Sequence, residues 1–261
     1  MLLVATVGFG SWAFYTHAQT SPAHPRIIAH RGGPDSFGPE SIIPTFVKAA
    51  KAGYDIELDV RFAKANAQGR RTPWIMHDWA LDRTTNCKGG LTNHTDAELL
   101  KCKVTAKDRI PTLYEALKAI HAANPKVRVV IHIQPDDMRQ VDALAVGDRV
   151  RWTGMQSHVI IMSWLAKHLA YFKAEEPTLP RLRIFLKGTS WYSDPNAQGI
   201  LVDISELSAA KVNEAKARGF TVYGSADDPA GYKILQNAGV YGNFCDNPVA
   251  YDKWLKASAA R

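Results

Sequence analysis

The run Val127-Arg128-Val129-Val130-Ile131-His132-Ile133 is almost entirely β-branched or apolar. Such a run suits a strand covered on both faces, which places it in a parallel sheet flanked by helices. It is one of a series. Apolar runs at Arg26–Ala29, Tyr54–Val60, Trp74–Met76, Val159–Met162, Leu182–Leu186, Ile200–Val202, Thr221–Tyr223 and Tyr241–Cys245 read as further strands. Between most of them lie amphipathic stretches read as helices, at Ile42–Ala52, Leu113–Ala123, Gln140–Arg151, Leu165–Ala174, Leu207–Arg218, Tyr232–Ala238 and Val249–Ala257. Thr112 and Ser205 are expected to cap two of them, and Pro44 sits in a first turn, where proline is tolerated. This alternation predicts a single (β/α)8 barrel over about residues 26–258. The count of nine strands is one too many, and Ile200–Val202 is the weakest. Residues 81–110 break the rhythm and read as a small insertion after the third strand, with a short helix around Ala97–Lys101. A doubly wound open sheet is the alternative fold, but no G-x-G-x-x-G or Walker pattern follows any strand.

The chain of 261 residues carries a formal net charge of +7, with a pI near 9.3. A basic surface suits an anionic partner such as a phosphate ester or a lipid headgroup, or serves only solubility. No basic run interleaved with aromatics occurs, so no nucleic-acid partner is expected. Residues 2–15 are apolar and are followed by Thr16-His17-Ala18-Gln19, with a cleavage point expected after Ala18. Residues 1–18 therefore read as a signal peptide or an N-terminal anchor, although the usual positive start is missing. An exported protein, secreted or periplasmic, is expected. Cys87 and Cys102 are either a disulfide, which requires an oxidising compartment, or unrelated thiols beside Cys245; their spacing fits no zinc motif.

Chemistry-bearing residues gather at strand ends. His30-Arg31-Gly32-Gly33 follows the first strand and His77-Asp78 the third. Glu57 and Asp59, two apart on a strand, share a face. Two carboxylates on one face call for a cation between them: Mg²⁺ or Ca²⁺, unless Arg61 or Lys64 balances the charge. In a parallel barrel these residues converge on one mouth. Two histidines there form a general acid/base pair, and Arg31 offers a planar fork for phosphate oxygens. No G-x-S-x-G is present, so phosphodiester cleavage fits better than acyl transfer.

These motifs, His30-Arg31-Gly32, Pro39-Glu40-Ser41, Glu57-Leu58-Asp59, His77-Asp78, Leu81-Asp82-Arg83-Thr84-Thr85 and Cys245-Asp246-Asn247-Pro248, resemble the glycerophosphodiester phosphodiesterase family. The resemblance runs from Arg26 to about Leu255. It implies a (β/α)8 barrel with a small insertion and a cation-dependent hydrolysis of glycerophosphodiesters to an alcohol and glycerol 3-phosphate. It assigns His30 and His77 as the acid/base pair, Glu57 and Asp59 as metal ligands, Arg31 as a phosphate contact, Glu40 as support close to the metal, and Tyr223 as a pocket-lining aromatic. One departure stands out. Where the family carries Ile-Glu-Ile-Lys, this chain has Ile131-His132-Ile133-Gln134. His132 as a ligand would suit Mn²⁺ or Zn²⁺ better than Ca²⁺, Asp136 or Asp137 could compensate, and Gln134 and Lys187 could take over phosphate contacts. Two other functions are weighed. One is a phospholipase D-type enzyme of the same barrel acting on lysophospholipid or sphingomyelin, with Trp79, Trp191 and Tyr192 meeting lipid at a peripheral membrane contact. The other is a phosphoester-binding homologue weakened in catalysis.

Overall fold

The computed structural model describes residues 24–134, 138–185, 187–188 and 194–260. In chain order the elements are β1 (Arg26–Ala29), α1 (Pro34–Phe37), α2 (Ile43–Lys51), β2 (Asp55–Phe62), β3 (Pro73–Ile75), α3 (Asp96–Leu99), α4 (Leu113–Ala123), β4 (Val129–Ile133), α5 (Gln140–Trp152), β5 (Val159–Ser163) and α6 (Ala166–Glu175). There follow β6 (Arg181–Phe185), β7 (Gly199–Val202), α7 (Ala209–Ala217), β8 (Thr221–Ser225), α8 (Pro229–Ala238), β9 (Gly242–Cys245) and α9 (Pro248–Ala259). The expected signal segment and the expected Asp136, Asp137, Trp191 and Tyr192 lie outside the described residues.

Strands β1, β2, β4, β5, β6, β7, β8 and β9 form a closed parallel ring; Ile28 opposite Asp55 joins β1 to β2, and Ile28 opposite Phe244 joins β1 to β9. Closure excludes the open doubly wound sheet. The superfluous strand is not Ile200–Val202, which pairs on both sides within the ring as β7. It is β3, which runs antiparallel to β2, with Val60 opposite Ile75 and Phe62 opposite Pro73. The cause is unequal strand length. β1 stops at Ala29, opposite Ile56, because the chain turns sharply there. β2, eight residues long, continues to Phe62. Its edge beyond β1 is left with unpaired backbone groups, and burial makes unpaired groups costly. β3 returns along that edge and satisfies them.

Helix starts follow local chemistry. Thr95 and Thr112 each accept from the backbone three residues on, while Glu98 and Glu115 reach back to the cap, the reciprocal capping box. Ser205 does not cap a helix: it lies in a 3₁₀ turn, and Ser208 caps α7. Outward-facing Ile56, Leu58, Val60, Val129 and Ile131 pack under the helices, and Ile28, Val130, Ile160, Leu182, Tyr223 and Phe244 fill the barrel. At the N-terminal end of the strands, Arg26 grips Asp55 with two bonds, 2.7 and 2.9 Å, and Arg128 donates to the Tyr241 hydroxyl at 2.7 Å. That end is a charged plug; the chemistry lies at the other.

The insertion has its own small core of Leu81, Leu91, Leu99, Cys102 and Ile110. Cys87 and Cys102 are bonded, with Cα atoms 5.4 Å apart. A loop of this length contributes about 3 kcal/mol by chain entropy.

Candidate active site

The residues after β1 are left-handed in succession: Arg31 at φ 50°, Gly32 at 89° and Gly33 at 77°. A non-glycine residue pays for that conformation, so Arg31 is strained at a place that over-determines it. Both glycines are needed twice over. A Cβ on Gly32 would stand 2.9 Å from the Phe46 ring, and one on Gly33 would stand 2.7 Å from Pro248. The turn aims the Arg31 N–H at Glu57 Oε2, 2.9 Å away, and leaves His30 over the mouth.

Glu57 and Asp59 are fully buried on the inward face of β2. His132 on β4 brings Nδ1 to 3.0 Å from Asp59 and 3.7 Å from Glu57. Ligand atoms of these three residues lie within 4.8 Å of one another. Glu57 Oε1, Asp59 Oδ2 and His132 Nε2 are buried without a hydrogen-bond partner. Buried carboxylate oxygens left unpaired are costly, and two carboxylates with an imidazole form a donor set that fits a divalent cation. Burial would raise the Asp59 carboxyl, but the hydrogen bond from His132 and the nearby histidines hold it below its usual range. Burial likewise opposes charge on His132, and the two carboxylates outweigh it, raising the imidazole to about 9. A cation bound there would take the place of that proton, since only the neutral imidazole can act as a ligand.

His30 and His77 both lie near enough to this group to act on the charge of Asp59. His30 lies 4.0 Å from Glu57 through Nε2, and its Nδ1 is 2.8 Å from Asp246. Burial opposes its protonation, while Asp246, Glu57 and Asp59 together raise it. His77 follows β3 as that strand returns along β2, where the Met76 N–H donates to the Asp59 carbonyl at 3.0 Å. Arg61 holds the His77 carbonyl with two bonds, 2.9 and 2.7 Å, and His77 Nδ1 is 2.7 Å from Asp78.

Of the other expected residues, Arg31 stands between Glu40, 3.5 Å from Nη1, and Asp59, 3.7 Å from Nε. Glu40 turns both oxygens to Arg83, at 2.6 and 3.1 Å, and not to the metal-capable group. Gln134 is buried and hydrogen-bonds Asp59, with His132 Nδ1 3.2 Å away, so it supports the acidic group and does not open onto the mouth. Tyr223 is packed inside the barrel, edge-on to Tyr241 and Phe244 with ring centres 5.4 and 5.8 Å apart. It is not at the mouth. Lys187 is exposed in the turn after β6, near Asp203 and Glu206. Sequence reasoning gave no role to Asp246 or Arg83. Their signal was membership in motifs quoted above, without any hint of partner.

Fold and site together define a (β/α)8 barrel with a buried carboxylate–imidazole group that could hold a metal. The profile of the Glycerophosphoryl diester phosphodiesterase family matches residues 30–250. The chain is 27% identical over 242 residues to a glycerophosphodiester phosphodiesterase of Bacillus altitudinis, covering 85% of this chain and 95% of that protein. It is 30% identical over 162 residues to YhdW of Bacillus subtilis, covering 59% of this chain but only 63% of that protein. The structure of an Oleispira antarctica phosphodiesterase in complex with the product sn-glycerol-3-phosphate superposes with a TM-score of 0.77 at 22% identity, covering 89% of this chain and 97% of that one. At that identity the likeness is one of fold. This chain belongs to the glycerophosphoryl diester phosphodiesterase family.

Proposed function

We propose that this chain hydrolyses glycerophosphodiesters to an alcohol and glycerol 3-phosphate, with a divalent cation and a His30/His77 acid–base pair. One observation carries the reading: two imidazoles, each with Nδ1 on a carboxylate, lie near enough to the buried Glu57–Asp59–His132 group to act on the charge of Asp59. Glu57, Asp59 and His132 would hold the cation. When bound it would polarise the phosphoryl group and offset its charge. Arg31 supplies a guanidinium for non-bridging oxygens, its Nε free of any hydrogen bond. One histidine takes through Nε2 the proton of the nucleophile, either water directly or a substrate hydroxyl whose cyclic phosphate water then opens, and the other returns a proton to the leaving alkoxide. The product-bound Oleispira structure supports a small glycerophosphoryl ligand. Ca²⁺ or Mg²⁺ suits the two carboxylates, while His132 brings Mn²⁺ or Zn²⁺ into range.

We also propose that the protein acts outside the cytoplasm, with the leader-like residues 1–18 and the Cys87–Cys102 bond as support. No helix among the described residues is long and apolar enough to cross a membrane. Of Trp79, Trp191 and Tyr192, Trp79 lies among the described residues and is 56% exposed, open to a lipid surface.

Phosphorus NMR of digests tests the reading. Glycerophosphocholine, glycerophosphoethanolamine and lysophosphatidylcholine would each be incubated with Mg²⁺, Ca²⁺, Mn²⁺ and Zn²⁺. Glycerol 3-phosphate from the glycerophosphodiesters is expected. Turnover of lysophosphatidylcholine alone would favour the phospholipase D-type reading, and no product with any metal would leave only a binding role.

A further inference from the structure

We infer that Arg83, on the insertion, is a positioning residue that locks Asp78 against His77 and so fixes which imidazole nitrogen meets the substrate. The inference deepens the proposed reading, since it concerns one member of the acid–base pair. Arg83 lies in the turn Leu81–Thr85, and every other residue of that turn is spoken for locally. Leu81 is buried in the insertion core, and Asp82 accepts from the Gly89 N–H at 2.8 Å. The Thr84 hydroxyl lies 3.6 Å from Met76 Sδ, and the Thr85 hydroxyl donates to the Leu81 carbonyl at 2.7 Å. Arg83 reaches back to the barrel instead. Its Nε and Nη2 donate to the two oxygens of Asp78, at 2.5 and 3.0 Å. Its Nη1 and Nη2 donate to the two oxygens of Glu40, at 3.1 and 2.6 Å.

One guanidinium therefore bridges the segment after β3, beside His77, and the segment between α1 and α2 that carries Glu40. Planar fork geometry makes this an arginine's task, because a lysine is a point charge and cannot span two carboxylates with four directed bonds. The consequence reaches the imidazole. The Arg83 hydrogen bond, ahead of that from His77, holds Asp78 at about 2. An ionised carboxylate only accepts, so His77 donates from Nδ1 and its Nε2 is left bare. Without Arg83, Glu40 would be left with only Arg31 at 3.5 Å and Asp78 with only His77, and Asp78 would lose the hold that fixes the geometry selecting the tautomer. Half of the Arg83 side chain is exposed, so a merely structural tie there would contribute little. The insertion, closed by Cys87–Cys102, thereby acts on catalysis without touching the mouth.

The test compares wild type with Arg83→Gln and Arg83→Lys, each labelled with ¹⁵N-histidine, using long-range proton–nitrogen spectra with His77→Gln to assign the signal. Wild-type His77 is expected as one Nδ1–H tautomer, and both variants as an averaged mixture. In parallel, kcat is expected to fall about ten- to a hundredfold, as for other partners that orient a reacting group, with KM little changed. Thermal melts check folding; if the variants melt early, Asp78→Asn should produce the same tautomer shift in a chain that keeps Arg83. A single Nδ1–H tautomer surviving in folded Arg83→Gln would overturn the inference, whatever happens to kcat. Should wild type turn over no glycerophosphodiester, the functional reading fails, and the tautomer spectra still decide the role of Arg83.

Discussion

His30 and Asp246 stand 216 residues apart in sequence and 2.8 Å apart in the fold, Nδ1 to Oδ1. The imidazole holds Asp246 below the usual carboxylate range, so the carboxylate accepts and the ring donates. With Nδ1 occupied, Nε2 faces Glu57. Asp246→Asn should therefore leave folding intact, because the group is more than a third exposed, and lower kcat by roughly a hundredfold or more through loss of the correct tautomer. Steady-state kinetics with a thermal melt check this. A variant with wild-type kcat would remove Asp246 from the mechanism.

Metal preference should follow residue 132. Chelation is expected to abolish turnover, and readdition to restore it. His132→Glu replaces a nitrogen donor by a third carboxylate, which favours hard cations. Calorimetric titration should show Mg²⁺ or Ca²⁺ affinity rising and Zn²⁺ or Mn²⁺ affinity falling, each by about tenfold or more. Unchanged affinities in unchanged order would place His132 outside the coordination set.

Gly33→Ala should destabilise by about 1–3 kcal/mol, since a left-handed residue is strained and its Cβ would clash with Pro248. Urea unfolding measures it. Pro248→Ala in the same chain should recover part of the loss, because it removes the clash but not the backbone strain. Equal midpoints for the single and double variants would mean that Pro248 is not the obstacle.

Asp142 is buried between Arg71 and Arg139. Burial alone would raise its carboxyl, but hydrogen bonds from Arg139 and Arg71 outweigh it and hold it below the ordinary value. A depressed carboxylate stabilises the fold above its unfolded-state pKa of about 3.9 and loses that contribution as pH falls through the folded value. Asp142→Asn should cost about 3 kcal/mol at pH 7 by leaving Arg71 buried against a neutral amide. The gap to wild type should begin to narrow below about pH 4, where the unfolded chain takes up the proton, and close only as pH falls through the lower folded value. Melting curves from pH 3 to 7 check it, and a constant gap would contradict the assignment.

Much of the barrel was legible in the chain. β-branched runs such as Val129–Ile133 are buried on both faces wherever they sit, so their identity as parallel strands followed from composition alone. The sharing of a face by Glu57 and Asp59 and the approach of His30 to Glu57 followed too, because side chains two apart on a strand share a face and a parallel barrel gathers strand ends, whereas His77, expected at the same mouth, follows a strand that runs antiparallel outside the ring. What the chain could not reveal depended on lengths and partners distant in sequence. That β3 leaves the ring was decided by β1 ending opposite Ile56 and freeing an edge of β2. The choice of Asp246 for His30, of Arg83 for Asp78 and Glu40, and the turning of Tyr223 into the core were likewise decided in three dimensions. Local pattern determines which face a residue presents; only closure of the ring determines which residue it meets.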